Sequence, residues 1–391
     1  MAEPGLFDGV LARGAVGAEV DDRAWLQAML DVEAALARAQ ASPHAAEIAG
    51  CAQSELFDVG RLGADGALSA SPVVPVVDAL RDRVGAEAAH DVHRGATSQD
   101  ILDSAAMLVA QRALGPLLDD LAGAADAAAG VARRHRDTAM AGRTLLQQAV
   151  PTTFGLKAAG WMTALDEAVA RLDAVRRERL AVQLGGAAGT LAALGATGPD
   201  VLAALARELG LAEPVLPWHS DRTRIAELAG ALGEACGAAG KPAGDVVLLA
   251  QDEVGEVREG GDPGRGGSST MPHKRNPVAA VSALACARQA PGLVATLLAS
   301  MVGEHERAAG AWQAEWRPLT ELLRLAGSAA AWTRDCLEHL EIDAERMAAN
   351  LATLQRTYAL DAAIPPAAAL VDRALRARGA SLDASGRARR P

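Results

Sequence analysis

Apolar residues return every three or four positions along much of this chain, and charged residues fill the gaps. In "DDRAWLQAMLDVEAALARAQ" the pattern puts Leu26, Met29, Leu30 and Leu36 on one face, behind Asp21 or Asp22, either of which can cap. It predicts a helix in a small leading region. A second helical pattern opens at Asp100 with Ile101, Met107, Leu108, Leu114, Leu118 and Leu121, and Gly115 and Pro116 predict a kink or break in it. From Thr152 to Leu184 no internal proline interferes, and Leu165, Val169, Leu172 and Val175 step by three or four. That spacing predicts one helix of about thirty residues, well beyond the usual length of about 11 to 12. Two further long patterns run from Asp221 to Glu259 and from Pro277 to about Ala309, interrupted at Pro242 and Pro291.

Four or five long helices of matching length predict an elongated all-α bundle. Several of them are apolar on more than one side, which predicts burial against other subunits. After about residue 340 the pattern shortens, and "GASLDASGRARRP" reads as a frayed polar tail. The organisation expected is therefore a helical N-terminal domain over 1–99, a long-helix bundle over 100–335 with faces buried against other subunits, and a short C-terminal helical region with its tail over 336–391.

Composition sharpens the fold class. Half of the residues are hydrophobic yet only 3% are aromatic, a balance that suits closely packed helices better than sheet. The net charge of −11 provides no basic field to attract nucleic acid or an anionic membrane, so an anion site has to be built locally. Cys51, Cys236, Cys286 and Cys336 are far apart and form no CxxC pair, the pattern of packed thiols in a reducing cytoplasm. "MAEPGLFDGV" has no signal-peptide pattern, and no uncharged apolar run reaches about 18 residues, so a soluble cytoplasmic protein is expected. No metal-ligand spacing and no dinucleotide fingerprint occurs, and neither metal nor cofactor is expected.

One segment breaks the helical rhythm: "GRGGSSTMPHKRNP", residues 264 to 277. Gly264, Gly266 and Gly267 permit positive φ and precede two hydroxyls, Ser268 and Ser269. Asn276 and Pro277 read as a helix start, cap and first helical residue. His273, Lys274 and Arg275 then stand at the positive end of that helix and predict a local anion site on an acidic protein. A solvated connector is the plain alternative, and a P-loop is excluded because Lys274 follows the serines.

"GSSTMPHKRNP" resembles the signature GSSxMxxKxN of the fumarase/aspartase superfamily, with Gly267, Ser268, Ser269, Met271, Lys274 and Asn276 all matching. "HRGATSQDILDSA" (93–105), "GRTLLQQAVPTTFGLKAAGW" (142–161), "QLGGAAGTLAALG" and "HERAAGAWQAEW" resemble other parts of it and extend the likeness over roughly residues 5 to 340. The resemblance implies that Ser268 is the general base on a closing loop, and that Lys274 and Asn276 hold the carboxylate whose charge grows in the reaction. Ser269, Met271 and His273 would line the substrate beside them. Thr97, Ser98 and Gln99, just before a helix start, would bind another carboxylate or form a capping turn, or both; His93 matches the family's HxGxTS as a substrate contact. Arg143, Gln147 and Gln148 would line the same cleft, with a structural ion pair the alternative for Arg143. His305, Glu306 and Arg307 read as ordering the bundle, and His44, His135, His219 and His339 have no such context. The superfamily builds each site from three subunits of a homotetramer, and the same is implied here.

Two branches of the superfamily compete. Adenylosuccinate lyases share HxGxTSxD and MPHKRNP, but carry a catalytic histidine after "RT", where this chain has Leu145 and Leu146. Bacterial 3-carboxy-cis,cis-muconate cycloisomerases have an apolar pair there, usually Trp-Leu, and Trp316 stands where the lyases have arginine. The resemblance therefore implies a cycloisomerase acting on a small tricarboxylate in the protocatechuate branch of aromatic breakdown, without metal or cofactor. The alternatives are an adenylosuccinate-type β-elimination and a non-catalytic helical scaffold. "AGKPAG" at 239–244 and the short C-terminal region are less regular than the family pattern, which implies a reduced closing element over the site.

Overall fold

Asp21 caps the first long helix, α1 (Asp22–Ala39), in the computed structural model, which describes residues 5–262, 264–358 and 367–384. Its carboxylate accepts from Ala24 N at 2.8 Å, and Leu26, Met29, Leu30 and Leu36 are buried as their spacing requires. Short helices and α2 (Val73–Arg81) complete the leading region.

Helix α3 (Ser98–Arg134) runs on through Pro116 without the expected break. A mid-helix proline costs about 3 kcal/mol. Leu114, Leu117, Leu118 and Leu121 are buried around it, each worth roughly 1.5–3 kcal/mol, so packing overrides the local penalty. A hairpin of β1 (Ala139–Thr144) and β2 (Gln147–Thr153) follows, then α4 (Phe154–Glu178), which Thr153 caps by accepting from Leu156 N at 3.2 Å. The expected continuation of this helix to Leu184 does not form. Residues 180–184 are buried and non-helical, their polar groups engaged by Ser104, Ala212 and Trp218.

After α5 (Gly198–Leu209), helix α6 (Thr223–Leu249) passes through Pro242 and ends ten residues before Glu259. The expected last turns become β3 (Val257–Glu259) instead. Helix α7 (Val278–Ala299) passes through Pro291 and stops short of Ala309; α8 (Ala311–Glu338) follows, and β4 (Leu340–Ile342) pairs antiparallel with β3. Helices α9 (Ala344–Tyr358) and α10 (Ala367–Ala384) close the described chain. Gly379 to Ala384, expected as frayed tail, are helical, and residues 385–391 lie outside the described residues.

The bundle is all-α, as expected. Among the described residues its sheet consists of the β1–β2 hairpin and the long-range β3–β4 pair. Helix α3 packs on α4 and α8; α6 packs on α4, α7 and α8; α7 packs on α8. Both α3 and α7 are long and apolar enough to cross a membrane. In α3 the most apolar window is 78% buried, which marks a core helix; in α7 it is 33% buried, with Val281 and Leu298 on the surface of the single chain.

These helices separate the motif segments. With 37 residues at 1.5 Å each, α3 spans about 55 Å. Its start, at 97, meets 185–186, 219 and 307, while its end leads into the β1–β2 hairpin. Helix α7 likewise begins at the glycine-rich loop and ends beside Asp221, which bridges to Val302.

Candidate active site

At the start of α3, Thr97 and Asp100 form a capping box. The Asp100 carboxylate also accepts from Gly185 N and Gly186 N, both at 2.9 Å, and meets His219 Nε2 at 2.7 Å. His219 thus belongs to this end of the molecule, although nothing near it in sequence pointed there. Arg307 donates to Thr97 Oγ1 at 2.6 Å and to the Ala187 carbonyl at 2.9 Å, so it orders the structure by fastening the Thr97 turn. Ser98 is partly exposed. Gln99, expected to face substrate, is fully buried and donates to Asp103 and to the His219 carbonyl. One step along a helix turns a side chain by about 100°, enough to place Gln99 in the core.

One turn further in, Asp103, Arg222 and Glu315 form a buried triad. Arg222 donates to Asp103 at 2.8 and 3.0 Å and to Glu315 at 3.0 and 2.6 Å, Trp312 Nε1 donates to Asp103 at 3.0 Å, and the guanidinium lies over the Trp218 ring. Burial pushes the Glu315 carboxyl up, and Arg222 opposes that shift. No sequence signal links positions 103, 222 and 315, because the fold alone makes them neighbours.

His93 lies four residues before Thr97, at φ +62, with Nδ1 2.6 Å from the buried Glu33 carboxylate. Gly95, between them, is at φ +77, and a Cβ there would come within 2.5 Å of Leu194, so the turn requires glycine.

At the far end, Leu145 and Leu146 form the two-residue tip of the hairpin. Both have positive φ, 51° and 63°, and they are 96% and 75% exposed. That is the geometry of a type I′ turn, normally made by Asn-Gly, and costs roughly 1–2 kcal/mol at each leucine. Two apolar side chains are thereby displayed where a relaxed turn would be polar. Gln147 and Gln148 are exposed beside them. Arg143 is held: its guanidinium makes two 2.8 Å bonds to Glu256, whose side chain is fully buried and also accepts from Asn350. The structural ion pair is the alternative that Arg143 takes. Behind the hairpin, Lys157 lies 3.9 Å from Asp245; burial lowers its pKa, with Asp245 opposing. Sequence reasoning did not single it out.

The glycine-rich loop closes on itself. Gly266 O accepts from Asn276 N at 2.8 Å and from its side-chain amide at 3.1 Å, and Gly267 bridges to Arg275. Gly266 has φ +71, and a Cβ there would lie 2.3 Å from Asn276 O. Between these ties Ser269, Met271, His273 and Lys274 are exposed and Ser268 partly so, with Ser268 Oγ accepting from Met271 N at 3.2 Å. Asn276 does not cap α7. Glu259 caps it from β3, accepting from Ala279 N at 2.8 Å and Ala280 N at 3.0 Å. The anion site expected at that helix end is therefore filled by a carboxylate of the chain itself, and the loop's cationic character rests on its side chains.

The structure brings His93 and Thr97 together at one end and places the hairpin and the loop at the other. Among the described residues no group of three or more His, Cys, Asp or Glu is placed to hold a metal ion.

The sequence profile of the Lyase family matches residues 20–292. The chain is 49% identical over 351 residues to the 3-carboxy-cis,cis-muconate cycloisomerase of Bradyrhizobium diazoefficiens, covering 88% of this chain and 78% of that protein. It is 48% identical over 368 residues to the nitrosuccinate lyase of Streptomyces davaonensis, covering 90% and 77%. The crystal structure of the 3-carboxy-cis,cis-muconate lactonizing enzyme from Pseudomonas putida superimposes with a TM-score of 0.85 at 41% identity, over 96% of this chain and 88% of that one.

Proposed function

This chain is an enzyme of the lyase family in the fumarase/aspartase superfamily, and from that membership we propose that it interconverts 3-carboxy-cis,cis-muconate and 4-carboxymuconolactone. The observation that carries the reading is its 49% identity, over most of both chains, to a cycloisomerase of that name. The apolar Leu145-Leu146 tip agrees with it, since an adenylosuccinate-type elimination would need a histidine there.

In lactonisation one carboxylate oxygen adds to a double bond and a proton arrives on the carbon beside another carboxylate. The reverse is a β-elimination. Both pass through a carbanion delocalised into a carboxylate, so the main demand is for aligned cationic and hydrogen-bonding groups. Nucleophile and alkene belong to one molecule, which already provides much of the roughly 7 to 11 kcal/mol that proximity can contribute. We assign the proton exchange on carbon to Ser268 and the growing carboxylate charge to Lys274 and Asn276. Ser269, Met271 and His273 line the substrate from the same loop, and Gln147 reaches it from the hairpin. Thr97, Ser98 and His93 hold a second carboxylate. Gln99 supports these groups from the core, and Arg143 does so from the hairpin through its pair with Glu256.

Three chains contribute to each site in this reading. Distance supports the sharing between chains: Thr97 and the loop stand at opposite ends of helices about 30 to 55 Å long, so one chain cannot close a pocket around both and at least two must meet there; the third chain rests on the superfamily resemblance. The uncovered apolar face of α7 suits a homotetramer, and we place the assembly in the cytoplasm. We take 100–335 as its core, with 1–99 and 336–391 as flanking domains.

Elimination from nitrosuccinate is the second reading, favoured by the 48% identity to a nitrosuccinate lyase. Both reactions place a carbanion beside a carboxylate. Incubation with each compound separates them: loss of the muconate's ultraviolet absorbance supports the first, and nitrite release without it replaces the first with the second. Silence toward both overturns both.

A further inference from the structure

His93 is held in place from a distance. It sits at the left-handed φ of +62, a conformation unfavourable for any residue with a side chain, on a turn closed by Ala96 N donating to its carbonyl. Glu33, from the middle of α1 and sixty residues earlier, fixes it twice: Oε2 accepts from His93 N at 2.9 Å, and Oε1 meets Nδ1 at 2.6 Å. The Glu33 side chain is fully buried between the buried residues Val32 and Ala34, and among the described residues His93 is its one hydrogen-bond partner. An enclosed carboxylate with a single neutral partner is costly, and an amide would serve a merely structural turn as well. Since Oε2 already accepts a backbone N–H, Oε1 is free to take the Nδ1 proton, leaving Nε2 as the nitrogen with no protein partner among the described residues.

We propose that Glu33 is a positioning residue: it fixes the ring of His93 as an imidazolium whose Nε2–H donates to a substrate carboxylate at the Thr97 end of the cleft. The inference rests on the polycarboxylate reading above. Electrostatics agree with the geometry. Burial works against charge on the ring, but the hydrogen bond and charge of Glu33 outweigh it; Arg81 on α2 opposes protonation and Asp100 on α3 assists it, and the net effect raises the pKa above 6.5. The residue that carries the family's HxGxTS histidine thus depends on a carboxylate that lies in no motif.

The test is Glu33→Gln, with two readouts that a structural role would not move together. In protein labelled at histidine Cε1, with the resonance assigned by loss in His93→Asn, the ring should titrate above 6.5 in the parent enzyme. In Glu33→Gln its titration should fall toward or below that value. With 3-carboxy-cis,cis-muconate, Glu33→Gln should raise KM by about tenfold or more at neutral pH while kcat changes much less, the loss expected of one charge-assisted hydrogen bond. In a His93→Asn background the same substitution should add less than about twofold, because Glu33 acts through the ring. An unchanged titration, or an independent loss in the double variant, overturns the proposal. If Glu33→Gln fails to fold, the parent titration decides alone: a ring titrating below 6.5 refutes it. If the parent enzyme turns over no muconate, the functional reading has failed separately, and the Glu33-dependent titration, with its response to added propane-1,2,3-tricarboxylate, still decides this one.

Discussion

The two ends of the bundle hold similar chemistry under opposite conditions. Around Asp100, Asp103 and Arg222 each charge is enclosed and answered by another, with His219, Glu315, Trp312 and two backbone amides completing the set. At the loop end Ser269, His273 and Lys274 stand exposed with Ser268, and the hairpin offers two strained, exposed leucines. The first arrangement is rigid, because any lost partner strands a buried charge. The second is open, because its side chains lie at the surface and Ser268 Oγ accepts from backbone amides of its own loop. In the proposed reading, a site that recruits one group from each end, on different chains, combines a preorganised floor with an exposed loop.

The largest effect expected is on stability, at the enclosed end. Arg222→Met strands Asp103 and Glu315 and should lower unfolding free energy by about 3–5 kcal/mol in a denaturant titration. A loss below 1 kcal/mol would mean the triad is not as closed as its geometry states. At the loop end the effect should move from stability to rate. Ser268→Ala and Lys274→Ala should each slow turnover by on the order of 10² to 10³ with an unchanged melting temperature, and near-normal turnover of Ser268→Ala would remove it from the chemistry. Glu259→Gln lies between these extremes: weakening the α7 cap should cost about 1–2 kcal/mol, read by thermal unfolding, with a secondary loss of activity as the loop loosens. The smallest effect is the pH dependence of the Glu33–His93 pair. Its folded pKa is raised, so its stabilisation is fully present below 6.5 and is lost as pH rises through the folded value. The stability gap between the parent and Glu33→Gln should accordingly narrow from pH 6 to pH 9, and a gap that widens would reverse the sign assigned to the pair.

Much of the frame was legible because its causes are local. The Asp21 cap, the buried face of α1 and the all-α class follow from neighbours a few residues apart or from composition. The three motif segments were legible for the same reason, since each carries its chemistry within about twenty residues. Proline misled the reading at 116, 242 and 291, where a local penalty was overruled by burial that only the assembled bundle supplies.

Gln99, Arg143 and Asn276 show the other limit. Each has the right chemistry for an anion site, and each is engaged within the fold: Gln99 by Asp103 one helical turn on and by the distant His219 carbonyl, Arg143 by the distant Glu256, and Asn276 by Gly266 across the loop. Short-range order, periodicity and the identity of the reactive side chains were written into the chain itself. Which of those side chains are buried and paired, and which remain free at the two ends, was decided by tertiary packing, because hydrogen bonds and charge pairs depend on distances that close only when residues far apart in the chain meet.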